Sequence, residues 1–274
     1  MTSKATHPTI SFIGGGNMAR ALIGGLVEAG TPADDITVAD PSAAQRNAAE
    51  SDFGIRSSQD NAEAAAGRDV VVLAVKPQIM DDVLASIRDS VSADTLIISV
   101  AAGITLTRLS AGLGDQLALV RAMPNTPALY GAGITGMVAN DRTDKAQCQQ
   151  AEGILGSAGE TVWIEREELM DAVTAISGSG PAYFFAVAEY LAQAGEEAGL
   201  PAEIAARLAR QTAYGAGMML ARSELETAEL RRRVTSPGGT TEAALNSLKS
   251  NHFKQLVKQA VEAAIRRGRE LGAG

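Results

Sequence analysis

Ile10-Ser11-Phe12-Ile13 runs directly into Gly14-Gly15-Gly16-Asn17-Met18-Ala19, a short apolar stretch that ends in glycines and continues as a helix-forming segment. This is the G-x-G-x-x-A form of the dinucleotide-binding fingerprint, set between a strand and a helix as that fingerprint requires. Each small residue has a task. Gly14 permits the tight turn, Gly16 lets backbone approach a pyrophosphate, and Ala19 keeps the helix close to the sheet. The helix start at Asn17 and Met18 offers free N–H groups to phosphate oxygens. A merely glycine-rich turn would explain the glycines but not their position. The fingerprint also expects an acidic residue about 20 residues on, ending the second strand, and Asp40 stands there in Thr37-Val38-Ala39-Asp40-Pro41-Ser42. Its carboxylate suits ribose hydroxyls and repels a 2′-phosphate, which taken alone favours NADH over NADPH. Ser42 and Arg46 would still accommodate phosphate with Asp40 turned away. The other reading of Asp40 is a cap or turn residue before Pro41.

Outward from this motif, short apolar runs alternate with helix-like segments from Thr9 to about Ile164, the signature of βαβ units and a mainly parallel sheet. The strand candidates are Thr9 to Ile13, Ile36 to Ala39, Val70 to Val75, Thr95 to Val100, Leu117 to Ala122, Gly133 to Val138 and Thr161 to Ile164. Val70 to Val75 reads VVVLAV, apolar on both faces as a central parallel strand must be. After Met170 the strand signals stop, and Ala, Glu, Arg and Leu recur at helical spacing, broken by Gly199-Leu200-Pro201 and Ser236-Pro237-Gly238-Gly239. The expected fold is α/β: a Rossmann-like dinucleotide-binding domain over residues 1–166 and an all-α domain over residues 167–274, divided at the charged stretch Glu165 to Glu168. Helices such as Pro201 to Arg222, with Ile204, Leu208, Gln211, Tyr214, Ala216 and Met218 among many alanines, carry little bulky cover. They call for partners, and a second copy of the chain is favoured over packing within it.

Composition narrows the function. Aromatic content of 4% and a formal charge of −8 argue against a nucleic-acid surface, which needs stacking rings and basic faces. Arg231, Arg232 and Arg233 read as a solvated helix face rather than an anion site. One cysteine, Cys148, permits no intrachain disulfide, and two histidines, His7 and His252, supply no zinc ligand set, so no metal is expected. No apolar stretch approaches the ~20 residues of a membrane span, and the N-terminal apolar run stops at Gly14. A cytoplasmic chain with no membrane partner is expected.

Ala74-Val75-Lys76-Pro77-Gln78 ends the strand that begins at Val70, at the sheet's ligand-binding carboxyl edge, and Pro77 holds Lys76 extended. Lys76 reads either as a contact to the nicotinamide ribose or substrate, or as a loop lysine in solvent. Asn61 reads as helix cap or ribose contact. Val100-Ala101-Ala102-Gly103 offers a small-residue floor for the nicotinamide. The cofactor set is Gly14, Gly16, Asn17, Met18, Asp40, Asn61, Ala74, Lys76, Pro77, Ala101 and Gly103. Farther on, Pro237 to Thr241 is a glycine-rich turn leading into a helix, where the amides of Gly239 and Thr240 would receive a small carboxylate at the positive helix end. The alternative is an ordinary interhelix turn capped by threonines.

GGGNMA (14–19), AVKPQ (74–78), AMPNTP (122–127), SGSGPAY (177–183) and SPGGTT (236–241) together resemble pyrroline-5-carboxylate reductase, with motifs spread over nearly the whole chain. The first motif is shared by many related dehydrogenases; the last two at this separation are specific. The resemblance implies a C-terminal helical dimerisation domain, often with five dimers forming a decamer, and reduction of 1-pyrroline-5-carboxylate to L-proline by NADPH or NADH. It places substrate at Ser177, Gly238, Gly239, Thr240 and Thr241, with Gly178 to Pro181 shaping the pocket. Thr241 would hydrogen-bond the ring nitrogen, and Glu224 would stand near the substrate and pair with Lys76. On the sequence alone Glu224 reads as a solvent-facing helix-end carboxylate. The rival, a 3-hydroxyacid dehydrogenase of related build, would need a lysine in Pro181 to Glu197, which has none. A dinucleotide sensor without catalysis would have no use for the last two motifs.

Overall fold

The computed structural model describes residues 7–272. Strands β1 (Ile10–Ile13), β2 (Ile36–Ala39), β3 (Arg56–Ser58), β4 (Val70–Leu73), β5 (Leu96–Ser99), β6 (Ala118–Met123), β7 (Gly133–Ala139) and β8 (Gly159–Trp163) form one sheet. Its order is β3-β2-β1-β4-β5-β6-β7-β8, and every neighbouring pair is parallel except β6 with β7. The order reverses between β1 and β4, the switch point beyond whose strand ends open α/β sheets bind ligands.

Six helices flank these strands: α1 (Asn17–Glu28), α2 (Ala43–Phe53), α3 (Asn61–Ala65), α4 (Met80–Ile87), α5 (Leu106–Leu113) and α6 (Lys145–Gly156). Strand β4 shows what holds the layers together. Val70 and Val72 join Phe12, Leu22 and Ile23 in one core, while Val71 and Leu73 join Met80, Leu84 and Ile97 in another. All four β4 side chains are fully buried, each contributing about 1.5–3 kcal/mol of apolar burial. The run of valines is therefore the requirement of a strand covered on both faces.

Strand β3 was not expected. Its Arg56-Ser57-Ser58 has no apolar pattern because it is a sheet edge, held by parallel pairing to β2 rather than by its side chains. Strand β8 starts two residues earlier than expected, at Gly159 (φ 147°), where a Cβ would lie 2.1 Å from the Gly133 carbonyl oxygen.

The chain divides into two compact units, and the break falls at Gly178/Ser179 rather than at Arg166. The segment after Arg166 packs with the sheet: Glu167 pairs with Arg121, and Met170 is buried in α7 (Met170–Val173). A π-helical turn, Thr174–Gly178, follows and closes the first unit, which the chain rejoins from Ala264. The second unit is helical: α8 (Gly180–Glu197), α9 (Ala202–Arg222), α10 (Thr227–Arg233), α11 (Thr240–Ser250) and the start of α12 (Phe253–Gly272). Helices α8 and α9 approach closely where a Cβ on Gly195 would stand 3.2 Å from that of Ala205. Many of their large apolar side chains are open, with Phe184 and Phe185 each 67% exposed and Tyr214 62%.

Candidate active site

The glycine loop follows β1 at the switch point. Gly14 has φ 99°, donates its N–H to the Ala39 carbonyl at 2.7 Å, and would place a Cβ 2.5 Å from the Ala74 carbonyl oxygen. No other residue fits there. Gly15 donates its N–H to Asp40 Oδ2 at 2.8 Å, and the Ser42 N–H reaches Asp40 Oδ1 at 2.8 Å. Asp40 thus forms the turn after β2 and also braces the glycine loop. The Arg46 guanidinium donates to the carbonyls of Asp40 and Pro41, at 2.8 and 3.1 Å.

Gly16 differs from its neighbours. Its backbone is extended, and a Cβ there would meet nothing within 4 Å, so the protein leaves the space before it open. It precedes α1, whose first turn has no side-chain cap, so the amides of Asn17, Met18 and Ala19 face outward by helix geometry. A crowded Gly14, an open Gly16 and an uncapped helix end fit a pyrophosphate. Ala19, fully buried, seats α1 on the sheet.

The other candidates of this unit share the strands' carboxyl edge. Ala74 continues the pairing, its N–H donating to the Ile13 carbonyl at 2.8 Å. Lys76 is extended (φ −67°, ψ 144°) ahead of a 3₁₀ turn opened by Pro77, and its side chain is exposed with no ion pair among the described residues. Ala101 is buried and Gly103 takes φ 76° in the turn after β5. Asn61 is not the cap of α3. Asp60 is, accepting from the amides of Ala62 and Glu63, while the Asn61 amide donates to Ser86 Oγ at 3.1 Å.

Ser177 lies in the π-helical turn, its hydroxyl donating to the Val173 carbonyl at 2.9 Å. Asn125, which sequence reasoning quoted within AMPNTP but gave no role, donates its side-chain amide to the Ser177 carbonyl at 3.1 Å. Nothing local in the sequence announces a bond between residues so far apart.

In the second unit, the turn before α11 holds Gly238 at φ 71° and Gly239 as the extended N-cap. The Gly239 N–H donates to the Ser236 carbonyl at 3.0 Å, within the turn. The open donors are the first-turn amides of α11, beginning with Thr240 and Thr241. Glu242 was also missed: it bends back to accept the Gly238 N–H at 2.7 Å and stiffens the turn. Its position as the third residue of the helix was the available signal. Glu224 is exposed between α9 and α10. The basic cluster is a solvated face, where Arg232 and then Arg233 hold the Glu229 carboxyl below the usual carboxylate range. Among the described residues no group of His, Cys, Asp and Glu is placed to hold a metal ion. No helix described is long and apolar enough to cross a membrane.

Residues 167–271 match the family model described as pyrroline-5-carboxylate reductase dimerisation, and residues 9–103 match that of NADP oxidoreductase, coenzyme F420-dependent. A pyrroline-5-carboxylate reductase of Pseudomonas aeruginosa is 51% identical over 264 residues, 96% of this chain and 97% of that protein. The solved pyrroline-5-carboxylate reductase of Coxiella burnetii has a TM-score of 0.93 and 41% identity, over 97% of this chain and 99% of that one. The Plasmodium falciparum pyrroline carboxylate reductase, solved with NADP bound, has a TM-score of 0.83 and 33% identity, over 97% and 98% of the two chains.

Proposed function

The chain belongs to the pyrroline-5-carboxylate reductase family, and on that premise we infer that it reduces 1-pyrroline-5-carboxylate to L-proline with NADPH or NADH. The observation that carries this reading is likeness along the whole chain, at 51% identity over 96% of its length, to a reductase of that name. The bound reduced nicotinamide supplies the hydride, and the protein supplies position and charge.

In this reading the open amides at the start of α1 hold the pyrophosphate, and Asp40 or, for a 2′-phosphate, Ser42 and Arg46 meet the adenosine ribose. Asn61, Lys76 and Pro77 line the approach to the nicotinamide ribose, and Ala101 with Gly103 forms a floor without bulk. The amides of Thr240 and Thr241 receive the substrate carboxylate at the positive end of α11. Gly238 and Gly239 shape that turn, and Ser177 borders the ring. The imine carbon accepts hydride far more readily once its nitrogen is protonated, so the Thr241 hydroxyl serves by hydrogen-bonding that nitrogen. The proton comes from solvent before or on binding. Glu224 and Lys76 balance charge near the substrate. The chain works in the cytoplasm as a homodimer, with five dimers forming a decamer.

The test is nicotinamide oxidation, followed by absorbance, when pyrroline-5-carboxylate is added to the purified protein with NADPH or with NADH. Consumption establishes the reductase and ranks the cofactors. Folded protein that binds dinucleotide yet consumes neither would overturn the reading.

A further inference from the structure

We propose that Asn125 is a positioning residue for this reduction, acting through the backbone of Ser177. The proposal rests on the reductase reading. Asn125 flanks a short 3₁₀ turn, Thr126–Tyr130, at the position where an asparagine side chain ordinarily accepts the first free N–H groups, for about 1 kcal/mol. Here it caps nothing. Its amide nitrogen donates to the Ser177 carbonyl at 3.1 Å, and its amide oxygen accepts the Ile134 N–H at 2.9 Å. One partner only accepts and the other only donates, so the amide has a single orientation. At 8% exposure, losing either bond strands a buried polar group.

The carbonyl it holds belongs to an irregular element. A π turn departs from the i→i−4 ladder and recurs where proteins do chemistry, so its shape needs an outside hold. Met123, the last residue of β6, also meets this turn, since a Cβ on Gly178 would lie 2.8 Å from the Met123 thioether methyl. Strand β6 runs parallel to β5, β5 to β4 and β4 to β1, so the chain leaving β6 emerges at the same edge as Gly14, Lys76 and Ala101. Asn125 therefore fixes the last turn of the first unit relative to the edge that holds the dinucleotide. Its loss misplaces Ser177 without touching the glycine loop.

The test compares Asn125→Ala with Asn125→Asp in steady-state reduction and in dinucleotide titration, with thermal melts as a check on folding. Removing the bond should lower kcat about 10- to 100-fold, the scale of a small misplacement, with dinucleotide affinity unchanged. The aspartate variant adds a switch. When protonated it matches asparagine, donating its O–H to Ser177 and accepting from Ile134; when ionised it faces that carbonyl with a second acceptor. The ratio of its kcat to that of the parent protein should rise as pH falls, while the ratio for Asn125→Ala stays low and flat. A ratio near one at every pH, or one as low and flat as that of alanine, overturns the proposal. Should the aspartate variant not fold, Asn125→Ser, which keeps a donor, replaces it. Serine above alanine in kcat supports the proposal, and equality overturns it. An inactive parent protein would instead count against the reductase reading.

Discussion

Thr241 is where one side chain is asked to do chemistry. It is the second residue of α11 and half-buried, and no side chain caps this helix. Replacing it by alanine removes a hydroxyl and leaves a better helix former, so lost activity would not be lost folding. If the hydroxyl meets the substrate nitrogen, Thr241→Ala should lower kcat about 100-fold, the low end for a group assisting proton placement. Dinucleotide affinity should be retained, and Thr241→Ser should restore much of the rate. Unchanged turnover in the alanine variant would remove Thr241 from the mechanism. Gly14 illustrates the opposite kind of residue. Its φ of 99° and the Ala74 carbonyl beside it leave no room for a side chain, so its role is entirely one of backbone. That role was readable from the fingerprint because glycine is the sole residue that meets such a demand. Asn125 was not readable, because its partners Ser177 and Ile134 are set by the fold and by nothing near it in sequence.

At the scale of elements, one carboxylate ties three together. Glu167 accepts from Arg121 on β6 at 2.8 Å and from the Leu106 amide at the start of α5 at 2.9 Å, and it stands in the turn that follows β8. The Arg121 side chain is 8% exposed, so removing Glu167 leaves a buried charge uncompensated. Glu167→Ala should destabilise the protein by about 3–5 kcal/mol. Glu167→Gln, which keeps an acceptor but not the charge, should fall between it and the parent protein in urea unfolding. Identical midpoints for all three would show that the pair contributes nothing. The same residue explains why the compact units part at Gly178/Ser179, past the charged stretch at which the dimerisation family match begins. A run of charges reads as a solvated linker, whereas Glu167 points inward to Arg121 and carries the segment up to Gly178 with the sheet. The buried strands were legible because apolar burial on two faces leaves a pattern, as in Val70 to Leu73. Edge strand β3 left none, since its pairing uses backbone alone. Asn61 and Asp60 compete for one cap, and the carboxylate accepts two amides at once.

At the scale of the molecule, the question is what covers the helices of the second unit. In α8 the sole buried residue is Gly180, and in α9 the buried residues are Ala205 and Ala209, while Phe184, Phe185, Tyr190, Leu191 and Leu208 stay more than half exposed. A chain that left this much apolar surface in water would forfeit about 1.5–3 kcal/mol for each such side chain. The match of residues 167–271 to a dimerisation family says what kind of cover to expect. Burial between two copies makes folding and association one equilibrium, so the melting temperature should rise with protein concentration. Sedimentation should give at least a dimer. Glutamates at Phe185 and Leu191 put two charges where those side chains would be buried, which should yield monomers whose melting temperature no longer depends on concentration. A parent chain that sediments as a monomer and melts at one temperature across a hundredfold range, roughly 3 kcal/mol in mass action, would mean that these helices stay open to solvent.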